Sequence, residues 1–324
     1  MSRRLCRVTF LGALLSSGCL SSALPTPYPQ PSVPAIAVPE RVLVRAGGQI
    51  TPVSLEDYVV AAALSEVTPI GDSPDVVDRI YDVQVVVART YAVAHLGRHR
   101  AEGFDFCDST HCQVYEPGRR RTSRFAAAAE TAASRTSGQI LTFDGRAADA
   151  LFHSDCGGRT AAASAVWGGA PVPYLQAIVD DVPQGAHRTW RVAVGASELR
   201  AALNADPRTA VGKSLAAIDV ITRDDSGRAA AVSVRGELSS AVKGDVLRTV
   251  LNRTLGERAL QSTLFSVTRQ AGGFVFEGVG FGHGVGLCQR GAMARARRGE
   301  TVREILGTYY PGARFLGRNL RPGP

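Results

Sequence analysis

Residues 54–69, SLEDYVVAAALSEVTP, and residues 73–96, SPDVVDRIYDVQVVVARTYAVAHL, decide how the chain is built. Ser54 is a helix cap with Asp57 three places on, positioned to reach back to it. The helix it starts runs to about Val67 and stops before Pro69. Ser73-Pro74 is a second start, a cap followed by proline at the first helical position, where a missing N–H costs nothing. From there to about Leu96, Val77, Ile80, Val83, Val87 and Tyr91 recur at helical spacing. Gln84, Arg89 and Thr90 sit on or beside that apolar face.

Outward from this pair the signals change. Arg41 to Arg45 reads as a strand ending in a Gly47-Gly48 turn. After the helices come a loop with Cys107, His111 and Cys112, and an alanine-rich helix from about Arg124 to Ser134. Ser137 to Phe143 is a strand, Asp144-Gly145 a tight turn, and Ala147 to His153 its hairpin partner. Between Trp190 and Phe276 the pattern gives a strand, a helix at Ala196–Leu203, and strands at Leu215–Arg223 and Ala229–Arg235 around Asp225-Ser-Gly227. A helix near Gly244–Asn252 and two final strands follow. A glycine-rich segment, Gly278 to Gly291, leads into a last helix. The fold class is α+β: a helical N-terminal part packed on mixed β-structure, with an inserted smaller α+β subdomain at about 187–275. The main domain covers 41–316, and 317–324 is a tail.

The N-terminus reads as an export signal. Arg3, Arg4 and Arg7 precede a short apolar run, Val8 to Leu15, too short to remain in a bilayer as a helix. Gly18-Cys19 is similar to a lipoprotein box, with Cys19 lipidated and residues 1–19 as leader. The other reading is an ordinary leader cut near Ala23. Residues 20–40, rich in Pro and Ser, form an extended tether. The mature protein is thus expected in the cell envelope, touching a membrane only through a lipid anchor. The chain is 45% hydrophobic and 20% charged, the composition of a folded protein. Its net charge of +8 falls to +5 from Cys19 onward, once Arg3, Arg4 and Arg7 of the leader are set aside, a modest excess that suits anionic envelope polymers. Nucleic acid is not expected as a partner, because no basic stripe with interleaved aromatics occurs.

Three distant blocks hold unusual polar residues in apolar or glycine-rich surroundings. They are Ala61-Ala-Ala-Leu-Ser-Glu66 with Gln84 to Tyr91; Leu151-Phe-His-Ser-Asp-Cys-Gly-Gly158 with Pro173-Tyr174-Leu175; and Gly278-Val-Gly-Phe-Gly-His-Gly-Val-Gly-Leu-Cys-Gln-Arg-Gly-Ala292. In kind, order and spread they resemble the signatures of the stage II sporulation protein D family, which includes the amidase enhancers. The similarity spans roughly residues 41–316. It implies a lytic transglycosylase acting on peptidoglycan glycan strands already stripped of stem peptides. A glycan-binding protein that enhances a separate cell-wall amidase is the alternative. A zinc peptidase is disfavoured, since no His-Glu-x-x-His pattern occurs.

Glu66 is the candidate catalytic acid. Its neighbours Ala61, Ala62, Ala63, Leu64 and Val67 are apolar, and desolvation raises a carboxyl pKa toward what a general acid needs. No second carboxylate has a comparable setting, whereas hydrolytic glycosidases ordinarily use a pair. Arg89 either faces a groove and binds sugar oxygens or is paired with an acid. Gln84 is placed to orient hydroxyls or hold Glu66. His153, Ser154, Tyr174, His283 and Gln289 are candidates for lining the groove. Each histidine has an equal alternative as a hydrogen-bonded structural residue.

Cys107-x-x-x-His111-Cys112 puts soft ligands in one loop, and some family members bind zinc there. His99 is the expected fourth ligand, since His95 should still be on the helix. Such a closed site is structural; a Cys107–Cys112 disulfide is the alternative. Cys156 and Cys288 are expected close together as a disulfide. Free thiols or a cysteine–histidine nucleophile are the other readings. No organic cofactor is implied.

Overall fold

A computed structural model describes residues 36–181 and 187–317. The expected leader with Cys19, nearly all of the tether and most of the tail lie outside the described residues. The architecture is α+β, and its elements follow the chain.

Strands β1 (Arg41–Ala46) and β2 (Gln49–Ser54) form a hairpin. The sequence reading missed β2. Helix α1 (Leu55–Glu66) starts where expected, with Ser54 Oγ accepting the Asp57 N–H. The Asp57 carboxylate does not reach back to the cap; it takes Arg120 at 2.6 Å. Helix α2 (Pro74–Ala94) has its proline at the first turn, but the Ser73 side chain makes no cap bond. From Tyr81 to Ala92, all of α2 but Asp82 is buried. A helix enclosed on all sides can only lie at the centre. Strand β3 (Phe106–Cys107) adds parallel to β1. Helices α3 (Arg119–Thr122) and α4 (Ala126–Arg135) follow, and α4 packs its alanines on α2.

Strand β4 (Ile140–Phe143) turns through Asp144 and Gly145, both at positive φ, into β5 (Arg146–Ala147). The expected hairpin partner to His153 ends there. Phe152–His153 forms β6, whose partner lies far along the chain. Helix α5 (Ala163–Trp167) precedes the insert.

The insert comprises β7 (Thr189–Gly195), α6 (Ala196–Asn204), β8 (Leu215–Arg223), β9 (Ala229–Gly236), β10 (Ser239–Lys243), α7 (Gly244–Leu255), β11 (Phe265–Gln270) and β12 (Gly273–Val279). Its strands form two antiparallel sheets, β10-β9-β8 and β11-β12-β7. It has a core of its own around Leu199, Leu203, Val232, Leu247 and Phe276. The chain returns through β13 (Leu287–Cys288), α8 (Gln289–Arg297), α9 (Val302–Tyr309) and β14 (Arg314–Leu316), which pairs with β4. Where one last helix was expected there are two. A Thr301–Glu304 capping box starts the second.

Arg89 is fully buried on α2 and fastens the helical layer. Its guanidinium donates twice to Glu56 on α1, at 2.6 and 2.9 Å. It also donates to the Ala133 and Gln139 carbonyls and to Thr136 Oγ1. The ion-pair reading of this residue holds, and the acid is Glu56. The groove-binding reading is excluded, because every donor is spent inside the core. Removing one partner of such a pair costs about 3 kcal/mol or more. Arg89→Ala is therefore expected to lower unfolding free energy by at least that amount in urea denaturation. Glu56→Gln, which leaves the buried guanidinium without its countercharge, should also be clearly destabilised in the same measurement.

Candidate active site

Two glycine-rich segments meet backbone to backbone. Strands β6 and β13 pair in parallel, Phe152 with Leu287 and His153 with Cys288. Bridges Asp155–Phe281 and Ala161–Val285 extend the contact. Glycine is required at the closest approach: a Cβ on Gly286 would stand 2.0 Å from the Leu151 carbonyl oxygen.

This pairing carries Gln289, the first residue of α8, to the C-terminal end of α1. There Gln289 Nε2 donates to Glu66 Oε2 at 3.3 Å, and the Val114 N–H donates to Oε1 at 3.4 Å. Burial among apolar neighbours raises the Glu66 pKa above 4.5, while those two donors pull it partly back. A carboxyl raised by burial yet accepting from two donors keeps its proton to higher pH than a solvated glutamate while retaining partners for its charged form. Gln289 is thus brought to Glu66; Gln84 is not among its hydrogen-bond partners. Gln84 is buried in α2 with its Nε2 unpartnered.

His153 lies on the same pairing, one register position from Gln289. Its Nδ1–H donates to the Val285 carbonyl, which leaves Nε2 unprotonated and without a partner. The His283 ring stands 5.5 Å from it, and Trp167 5.3 Å beyond His283. Burial pushes His153 well below the ordinary histidine range, with His283 and Arg228 adding to it. His283 is pushed down to about 4 by burial and then by Arg248 and Arg228. Both imidazoles are therefore neutral at physiological pH and act as polar, uncharged groups. Ser154 is exposed at the same turn. Tyr174 is mostly buried; its hydroxyl accepts the Asp149 N–H, and its ring packs on Phe143.

Cys156 and Cys288 are brought together, within 4.8 Å along with His153, but as free thiols and not as the expected disulfide. Each sulfur has other work. Cys156 donates to the Asp180 carboxylate, and Cys288 caps α8 by accepting the Gly291 N–H. Burial, then the adjacent Cys156, raises the Cys288 thiol well above its ordinary value, the reverse of an activated nucleophile.

Arg228 and Trp167 escaped the sequence reading. Arg228 comes from the insert and is almost fully buried. It donates to the carbonyls of Cys156 at 2.6 Å and Arg159 at 2.8 Å, bracing the turn after His153. Nothing near Arg228 in the sequence marks it. Trp167 carried a signal, a lone tryptophan before Gly168-Gly169.

The loop after α2 gathers His99, Cys107, His111 and Cys112, with one donor atom of each within 4.8 Å of the others. Cys112 Sγ is 3.4 Å from His99 Nε2, and both sulfurs are 3.9 Å from His111 Nδ1. Tetrahedral zinc with ordinary bond lengths sets such donors roughly 3.6 Å apart, so the residues fit the ion. His99 turns its Nδ1 to Glu102, the outer partner that metal-bound imidazoles usually have. His95 instead caps α2 and pairs with Asp149 at 2.6 Å. Cys107 and Cys112 are free thiols.

Comparison with known proteins bears on this arrangement. Residues 46–143 match the family model described as Stage II sporulation protein, and residues 183–286 match a domain of unknown function. An uncharacterized protein of Brachyspira hyodysenteriae is 30% identical over 271 residues, covering 83% of this chain and 68% of that protein. Stage II sporulation protein D of Bacillus subtilis is 27% identical over 285 residues, 83% of this chain and 76% of that one. The Bacillus subtilis amidase enhancer is 28% identical over 270 residues, 71% of this chain but 37% of its own length. The chain belongs to the stage II sporulation protein D family.

Glu66 gives a signed pH dependence. An acid whose folded-state pKa is raised favours the fold below its unfolded pKa, and that contribution is lost as pH rises through the folded value. Glu66→Gln keeps the shape and removes the ionisation. The variant should therefore gain stability over the parent at about pH 8. The gain should vanish below the ordinary glutamate value of 4.5. Urea denaturation of both proteins across that range measures it.

Proposed function

We propose that this protein is a peptidoglycan lytic transglycosylase that cleaves peptide-stripped glycan strands, with Glu66 as its one general acid and base. The reading is carried by one observation: a desolvated carboxyl gripped by a glutamine from the glycine-rich signature. The protonated Glu66 gives its proton to the glycosidic oxygen as the bond from that oxygen to C1 breaks. The resulting carboxylate takes the proton from the C6 hydroxyl of the same muramic residue. That hydroxyl oxygen closes on C1, leaving a 1,6-anhydro end and a regenerated acid, with no water consumed. Gln289 and the Val114 amide steady the carboxylate in the second half of the cycle. His153, Ser154, His283 and Gln289 are assigned to the groove floor as neutral hydrogen-bonding groups. Tyr174 supports them from behind.

The family supports an envelope setting, with export and a lipid on Cys19 proposed from the sequence. Among the described residues no helix is long and apolar enough to cross a membrane. A cell-wall amidase is the proposed partner, by analogy with the relative named as an amidase enhancer.

Zinc held by His99, Cys107, His111 and Cys112 is proposed as structural. It would have no open position for substrate, so it would supply no chemistry to the cleavage. Its role would be to fasten the loop whose Val114 amide touches Glu66. One zinc per chain is expected by elemental analysis of protein purified without chelator. Strong chelation should lower the melting temperature and expose two reactive thiols. An absence of bound metal, with a Cys107–Cys112 disulfide found by mass spectrometry, would overturn this assignment.

The enzymatic reading is tested by incubating purified protein with peptide-free glycan strands and weighing the fragments. Products lighter by one water than hydrolysis products are expected. Glu66→Gln should slow their release by about a hundredfold or more. Binding with no products would leave the non-catalytic amidase-enhancer alternative standing.

A further inference from the structure

The insert has its own core, yet its α7 end leans on the candidate site. Trp167, the last residue of α5, is 43% exposed, which is unusual for the largest apolar side chain. A lone exposed hydrophobic residue ordinarily means nothing. This one stands where α5 meets α7 of the insert. Asp245 of α7 faces its indole, and burial raises the pKa of that carboxyl despite the nearby Arg248, the indole and Lys243. Gly168, which follows at φ 85°, holds a backbone conformation that favours glycine, with Lys243 Nζ of the insert beside it. The insert therefore lies against the tryptophan and the turn that follows it.

Trp167 also continues the row of groups that begins at the acid. Glu66 touches Gln289, Gln289 follows the register partner of His153, and His153, His283 and Trp167 stand at successive ring distances of 5.5 and 5.3 Å. The two imidazoles are uncharged polar groups beside a rigid π-face. A pyranose ring has the complementary chemistry: C–H bonds on its face and hydroxyls on its rim.

We infer that Trp167, braced by Asp245 and Lys243 of the insert, is a stacking platform for a sugar ring of the glycan strand, one or more residues away from the bond at Glu66. The inference rests on the glycan-cleaving reading above and gives the insert a part in substrate binding. Its test uses the full chain carrying Glu66→Gln, so that strands are bound and not consumed. Trp167 and Trp190 are the two tryptophans of the sequence. Trp190 is buried, so adding Trp190→Phe leaves Trp167 as sole indole reporter. Titration with peptide-free glycan oligomers should shift its emission saturably. Trp167→Ala should weaken binding by about tenfold or more, with Trp167→Phe recovering part of it. Asp245→Ala, which frees the indole without removing it, should weaken binding less and raise the mobility of the reporter in fluorescence anisotropy. Glycan binding with silent emission, or undiminished in Trp167→Ala, would overturn the platform and leave the Glu66 reading intact. Failure of the parent chain to bind glycan at all would overturn both. A platform that instead responds only to an added protein partner would also overturn it. Should Trp167→Ala not fold, the emission titration decides alone.

Discussion

The contact between two strips of nearly bare backbone holds this site together. Residues 151–161 and 280–288 approach so closely that side chains are excluded at several points. Such proximity is available only to glycine, and it brings carbonyl and amide groups into direct exchange. Much of the candidate site is positioned by that seam. Gln289 leaves it toward Glu66, His153 and His283 stand across it, and the thiols of Cys156 and Cys288 lie beneath it. Arg228 arrives from the insert to satisfy the carbonyls that the turn leaves over. A seam built this way is rigid because it has hydrogen bonds in place of packable side chains.

Its electrostatics follow from the same enclosure. Burial raises Glu66 and depresses both histidines, so acid and imidazole alike tend to neutrality. Neutral imidazoles of this kind offer hydrogen bonds without adding charge of their own beside the buried Arg228. In the proposed reaction, the burial that raises the acid's pKa would also limit the water competing with the internal hydroxyl.

Much of this was legible in the sequence, and what was not has definable causes. Helices α1 and α2 declared themselves because Ser54, Pro69 and Pro74 punctuate long apolar periods. Glu66 stood out as a carboxyl among alanines, and the His99 cluster by its ligand spacing. The partner of Phe152–His153 did not, because local alternation says that a strand exists and not that its neighbour is more than a hundred residues away. Arg89 in an apolar helix announced a buried charge, but the choice of Glu56 depended on how two helices cross. Arg228 gave no local sign, since an arginine after a turn is ordinarily solvated. The cysteines were rightly placed side by side, but their bonding turned on Asp180 and on the start of α8, neither of which neighbours Cys156 in the chain.

The stretch recognised by the family model, residues 46–143, contains Glu66 and the cysteine–histidine loop but ends before the seam. That stretch is therefore not an autonomous module. Transplanted alone, it would carry an acid without its Gln289 partner. Relatives could exchange this segment productively only together with a compatible glycine-rich return, some 140 residues downstream, which ties the inheritance of the two ends of the chain to each other.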